Sequence, residues 1–180
     1  MNEGLLNILD EQSAMGFTGK VNVLKSENAQ SFAVILMLEG KIINCMASAR
    51  SGEKALLDVI FKDVSNAEAF KVVVEPEVVS EAEGTFSWSV SQLKKESRRL
   101  YENYLNNKQL KPPGQLKLII NGQFIARGDE ILADEFDVLS TISDYSRVQD
   151  IYNNCDLMEY EVTRALVGLR RKGAIKVLAK

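Results

Sequence analysis

The last third of the chain carries its clearest hydrophobic periodicity. Val138, Leu139 and Ile142 recur at helical spacing, and Ser143-Asp144-Tyr145 interrupts them with turn formers. Val148, Ile151, Tyr152 and Cys155 share one face of a second helix, which the pattern starts at Ser146 with Gln149 three residues on, a capping-box spacing. A third helix is predicted to follow at once. Asp156 stands at its cap, Glu159 three residues later, and Met158, Val162, Ala165, Leu166 and Leu169 form its apolar stripe. Gly173 suits the left-handed exit that ends helices, and residues 174–178 alternate like a half-buried strand. Three short helices and a strand in this order are the layout of a winged helix.

Upstream, the polar and apolar positions change period. Leu5, Leu6, Ile8 and Leu9 predict a short amphipathic helix ending near residues 13–16. Residues 19–24 alternate as a strand, residues 26–31 form a polar turn, and residues 32–38 are a strand apolar on both faces. Glu39-Gly40 is a tight turn into residues 41–46, so the two flanking runs pair as an antiparallel hairpin. After Ser48-Ala49-Arg50-Ser51, a helix carries Ala55, Leu56, Val59 and Ile60 on one side, and residues 70–74 return as a strand. Residues 75–84 are acidic and contain Pro76, which suits an exposed loop or edge, and residues 86–89 add a short strand.

Residues 91–107 read as a longer, more polar helix with Val90, Leu93, Leu100, Tyr101, Tyr104 and Leu105 along one side. Lys111-Pro112-Pro113-Gly114 breaks it, because two prolines forbid helix continuation, and the domain boundary is placed there: residues 1–110 and 111–180. Beyond it, residues 116–120 and 124–126 predict a small hairpin through Asn121-Gly122. The expected fold class is α+β, an N-terminal domain of antiparallel sheet and helices followed by a small winged-helix-like domain.

Composition narrows the function classes. With 180 residues, 46% of them hydrophobic, the chain is long enough for two cores. A net charge of -3 argues against a general binder of nucleic acid or anionic membrane. The N-terminal run Met1-Asn2-Glu3-Gly4-Leu5-Leu6 lacks the basic flank and long apolar core of a signal peptide, and no apolar run approaches a membrane span. A cytoplasmic location without a membrane partner is expected. The chain has no histidine, which removes the commonest general base and transition-metal ligand. Cys45 and Cys155 each fall in an apolar periodic stretch and read as buried thiols rather than a disulfide. Ser51-Gly52-Glu53-Lys54 lacks the earlier glycine of a phosphate loop, and Asp129-Glu130 and Asp134-Glu135 read as loop and helix-entry charges. These features point away from an enzyme, a cofactor or a metal, although a carboxylate-only site stays open.

Three runs carry a resemblance. Phe17-Thr18-Gly19-Lys20-Val21, Leu38-Glu39-Gly40-Lys41-Ile42-Ile43-Asn44-Cys45 and Gly52-Glu53-Lys54-Ala55-Leu56-Leu57 together resemble the bacterial PATAN family across residues 4–107. The acidic stretch at residues 75–84 is longer than that family needs. Residues 136–142, 148–151 and 162–173 are similar to the winged-helix-like module often found beside PATAN domains. The resemblance implies a non-enzymatic signalling adaptor without catalytic residues. It would bind a protein partner, a response-regulator receiver domain or a Ras-like GTPase, in motility, polarity or chemotaxis-like regulation.

The competing function is a DNA-binding transcriptional regulator using Thr163, Arg164, Arg170, Arg171 and Lys172. Charge weakens it. The leading part of the third helix is expected to expose Glu159, Tyr160, Glu161, Thr163 and Arg164, and two of these five repel phosphate. Residues 136–180 hold seven Lys/Arg against six Asp/Glu, a nearly neutral unit. Arg170-Arg171-Lys172 sits in the last turn, where cations offset the helix dipole by roughly 0.3–1 kcal/mol each. Candidate contacts for a protein partner are Lys94, Lys95, Arg98 and Arg99, with Arg164 and Arg171, or else the acidic Glu75, Glu77, Glu81 and Glu83. The Leu- and Tyr-bearing side of residues 90–105 leaves a homodimer open.

Overall fold

The computed structural model describes residues 4–47 and 50–178. Residues 1–3 of the N-terminal run, and Ser48 and Ala49 of the connection before the second helix, lie outside the described residues. The architecture is α+β, and the chain divides into two compact units, Met1–Glu102 and Asn103–Lys180.

The first unit is built on an antiparallel five-stranded sheet in the order β4-β3-β2-β1-β5. Its strands are β1 (Gly19–Lys25), β2 (Ser31–Leu38), β3 (Lys41–Ala47), β4 (Arg50–Ser51) and β5 (Phe70–Pro76). β1 is paired along its whole length with β5, and Pro76 ends that edge strand, where a missing N–H costs nothing. The β2–β3 hairpin turns at Glu39 and Gly40, both with positive φ (49° and 76°), the primed turn whose twist matches the strands. A Cβ on Gly40 would stand 2.6 Å from the Ser13 carbonyl, so only glycine fits there.

The register of β2 on β3 shifts between Leu36 and Met37. The extra β3 residue lets Ile42 and Cys45, three apart, both join Met37 in the main core, while Leu36, Ile43 and Val79 form a small cluster on the other face. Helices α1 (Gly4–Ala14) and α2 (Glu53–Val64) supply Leu5, Leu6, Leu9, Leu56, Val59 and Ile60 to that core. Residues 86–89 form no strand. Only Trp88 bridges to Ile42.

Helix α3 (Val90–Lys108) buries Val90, Leu93, Ser97 and Leu100. It ends before the prolines as expected, but the units divide at residue 102 rather than 110. Within the second unit, Gly114 accepts from the Gln149 N–H and Lys111 pairs with Glu159 at 2.8 Å, which ties the proline segment down.

The second unit contains β6 (Leu118–Ile120), α4 (Gly122–Arg127), α5 (Ala133–Asp144), α6 (Val148–Asn154), α7 (Glu159–Lys172) and β7 (Ile175–Val177). The predicted hairpin at Asn121-Gly122 does not form. Residues 122–127 are helical with Phe124 buried, and β6 instead pairs antiparallel with β7, closing a contact between the two ends of the unit. Asn121 serves that closure, since its side-chain amide donates to the Gly173 carbonyl at 2.9 Å. Lys117 bridges Arg147 on the other side, so a third extended segment flanks β6.

The helix starts also differ from the predicted caps. α6 begins at Val148, because the Ser146 carbonyl accepts from Leu118 and the Val148 N–H reaches Leu116, so Ser146 is drawn into the sheet. α7 begins after Met158, not at Asp156, with Glu161 reaching back to the Met158 N–H at 3.0 Å. Gly173 ends it at φ 74°, the expected left-handed exit. Val138, Leu139, Ile142, Val148, Ile151, Val162, Ala165, Leu166 and Leu169 all enter the core, as their spacing predicts.

Candidate interaction surfaces

Both cysteines are buried free thiols, and burial pushes the Cys45 thiol up to about 12. Among the described residues no group of three or more Cys, Asp or Glu is placed to hold a metal ion. No helix among the described residues is long and apolar enough to cross a membrane.

On α3, the four predicted cations do not act together. Lys94 pairs with Asp10 of α1 at 2.8 Å and Arg99 with Glu96 of its own helix at 2.8 Å. Lys95 and Arg98 stay exposed. Leu105 and Tyr104 lie beyond the buried part of the helix, and Lys108 covers the Tyr104 ring at 5.5 Å. The acidic segment is likewise partly committed. Glu75 accepts from Asn22, Glu77 pairs with Lys20 at 2.6 Å, and Glu83 caps Ser80 in a short 3-10 turn, leaving Glu81 exposed.

The leading turn of α7 is turned inward. Tyr160 and Thr163 are buried, contrary to the expectation that they face out. Thr163 donates to the Glu159 carbonyl at 2.8 Å and accepts from the Tyr152 hydroxyl at 2.7 Å. Burial pushes Tyr152 up to about 12, against the lowering effect of Thr163. Glu159 holds Lys111, and Glu161 is spent on the helix start. Arg164 is exposed but paired with Asp134.

Glu135 is the organising residue of the next turn. Its buried carboxylate accepts from its own helix start at Leu132 (2.8 Å) and from Lys172 (2.6 Å), whose ammonium also reaches the Glu130 carbonyl. Gly168 is shaped by this. A Cβ there would stand 2.4 Å from the Glu135 carboxylate, so the two helices approach over a bare backbone.

That close approach leaves a groove of about 260 Å³ along α7, lined by Leu110, Leu132, Ala165, Val167, Gly168 and Arg171. Asn107 and the Asp134–Arg164 pair complete it. Leu132 is 63% exposed and Leu110 48%, an apolar rim in water. Arg171 makes no ion pair among the described residues. Of the predicted contact residues, Arg164 and Arg171 are thus brought to one groove, and Lys94, Lys95, Arg98 and Arg99 are not among its lining. The apolar part was missed. A glycine inside a helical pattern at Gly168 was the signal available.

No protein-family model, curated protein or solved structure matches the chain.

Proposed function

We propose that this chain is a non-enzymatic bacterial signalling adaptor that acts in the cytoplasm. Its partner is a response-regulator receiver domain or a Ras-like GTPase of a motility, polarity or chemotaxis-like system. The observation that carries the reading is the α7 groove, where a small floor, two exposed leucines and an unpaired arginine lie together. Covering a leucine fully is worth about 1.5–3 kcal/mol, so a partner that inserts an apolar side chain gains about 2–3 kcal/mol from the two part-exposed leucines of the rim, with a carboxylate on Arg171 for orientation. The PATAN resemblance of residues 4–107 supplies the class of partner.

Against use of α7 as a DNA-reading helix stand the inward-facing Thr163, the Arg164–Asp134 pair and the Lys172–Glu135 pair, which leave only Arg170 and Arg171 of the five candidate contacts unpaired. The test is calorimetric titration with purified receiver domains, with and without a phosphoryl mimic, and with Ras-like GTPases in both nucleotide states. One of these is expected to bind, and Leu132→Glu and Arg171→Glu are each expected to weaken it at least tenfold. Binding unaffected by both changes would remove the groove from the interface.

A further inference from the structure

Elsewhere in the second unit most cations near an acid are matched to it: Lys111 to Glu159, Arg127 to Asp129, Arg164 to Asp134 and Lys172 to Glu135. The small sheet behaves differently. Lys117 and Arg147 are directly opposite each other in an antiparallel bridge, and like charges in such a pair destabilise a sheet. Lys176 lies one strand further on, opposite Ile119, and so diagonal to Lys117 on the same face. Their chain neighbours Leu118, Val148 and Ile175 are buried, so the cations point away from the core. None of the three makes an ion pair or side-chain hydrogen bond among the described residues.

An aromatic group joins them. Tyr145, 40% exposed, stands two residues before Arg147 in extended backbone, which puts both side chains on one side of the segment. Ile119 and Leu178 are also exposed, beside Lys176 and Lys117. The result is a row of cations across three extended segments, about 5 Å apart for the opposed pair and about 7–8 Å on the diagonal, with a tyrosine at one end. The fold gains nothing from repelling charges placed in this way.

We propose that this outer face of the β6–β7 sheet binds single-stranded nucleic acid. Lys117, Arg147 and Lys176 take successive phosphates, and Tyr145 stacks a base. A groove that tracks the backbone with cations and offers an aromatic platform is the general means of binding single strands. The inference is independent of the α7 groove. Its residues are also different from those of a DNA-reading helix.

The experiment is fluorescence anisotropy of a labelled oligothymidylate of about 20 nucleotides with the full chain. With about three phosphates neutralised, the slope against log salt is expected near -2, so a fourfold rise in salt weakens binding roughly 20-fold. The combined change Lys117→Glu, Arg147→Glu and Lys176→Glu is expected to abolish binding, and Tyr145→Ala to weaken it about tenfold with the salt slope unchanged. Circular dichroism checks that each variant is folded, and Lys117→Gln alone, which relieves an opposed like charge, serves if the triple variant is not. Absence of binding at about 100 μM protein at low salt overturns the proposal. So does binding that ignores salt, or polyglutamate competing as well as the oligonucleotide, which would assign the face to an acidic protein.

Discussion

The two units hold themselves together by different means. The first buries a sheet and two helices around an almost entirely apolar core, with four strands of seven or eight residues paired along their length across two register shifts. The buried carboxylate of Asp63 accepts from the Leu5 N–H at the start of α1. The second has strands of only three residues and relies on side chains that tie helix ends: Glu135 to Leu132 and Lys172, Glu161 to Met158, Tyr152 to Thr163, Asn121 to Gly173. Short helices and short strands bury less apolar surface, so polar closures carry a larger share of their geometry. The same economy leaves leucines and unpaired cations at the surface of the second unit, and both proposed interactions lie there.

The contrast is open to direct attack. The largest effect is expected from Leu56→Ala in the first unit, where a fully buried side chain of α2 leaves a cavity costing about 2–5 kcal/mol, read as a fall in the urea midpoint. A loss below about 1 kcal/mol would mean that this core collapses around the gap and is less tightly packed than its register implies.

In the second unit, Glu135→Ala is expected to cost about 2–3 kcal/mol, because the Leu132 N–H and the Lys172 ammonium both lose their acceptor. Gly168→Ala sharpens the point through its sign. In the native background the new Cβ displaces the carboxylate and destabilises, whereas in the Glu135→Ala background the same change gains helix propensity of about 1 kcal/mol. Denaturation of the four members of this cycle gives the result, and additivity would show that Glu135 does not govern the helix contact.

Tyr152→Phe removes one buried hydrogen bond, a loss of about 1 kcal/mol at neutral pH. Its pH signature is separate. The native hydroxyl ionises only at about 12, while an unfolded tyrosine ionises near 10, so native stability falls as pH rises from about 10 to 12, and the phenylalanine variant loses that component.

The smallest effect belongs to Asp63. Burial raises its carboxyl above the usual range, opposed by the Leu5 N–H, so the native state holds the proton more tightly than the unfolded chain. Stability from this group is present below the ordinary Asp value of about 4 and is lost as pH rises through the raised native value. Asp63→Asn keeps an acceptor for Leu5 and is expected to flatten that slope in urea titrations between about pH 4 and 7. An unchanged slope would place the charge cost elsewhere in the unit.

Much of the fold was legible from period and turn chemistry. Alternation placed β1, a continuous apolar run placed β2, and the apolar spacing placed α2, α5, α6 and α7, because burial is a local demand on the residues that form each element. Cap residues misled. Ser146 and Asp156 have the right side chains for helix starts, but Ser146 was claimed by a strand from 28 residues upstream, and α7 started where Glu161 reached back. Asn121-Gly122 has turn chemistry too, yet residues 122–127 form a short helix that carries Phe124 into the core, and the Asn121 amide is held by the Gly173 carbonyl.

The candidate surfaces were legible only in part. Arg164 and Arg171 could be singled out as cations on one helix, but their meeting with Leu110 and Leu132 requires three separate chain segments to converge. Lys117, Arg147 and Lys176 lie in stretches that each look unremarkable. By itself the sequence determined the apolar core positions of the longer helices and strands, since hydrophobic period acts within a dozen residues. Only the tertiary structure decided that β6 pairs with β7 and flanks Arg147, because a strand of three residues carries no partner preference of its own. That pairing is what gathers three repelling cations on one face.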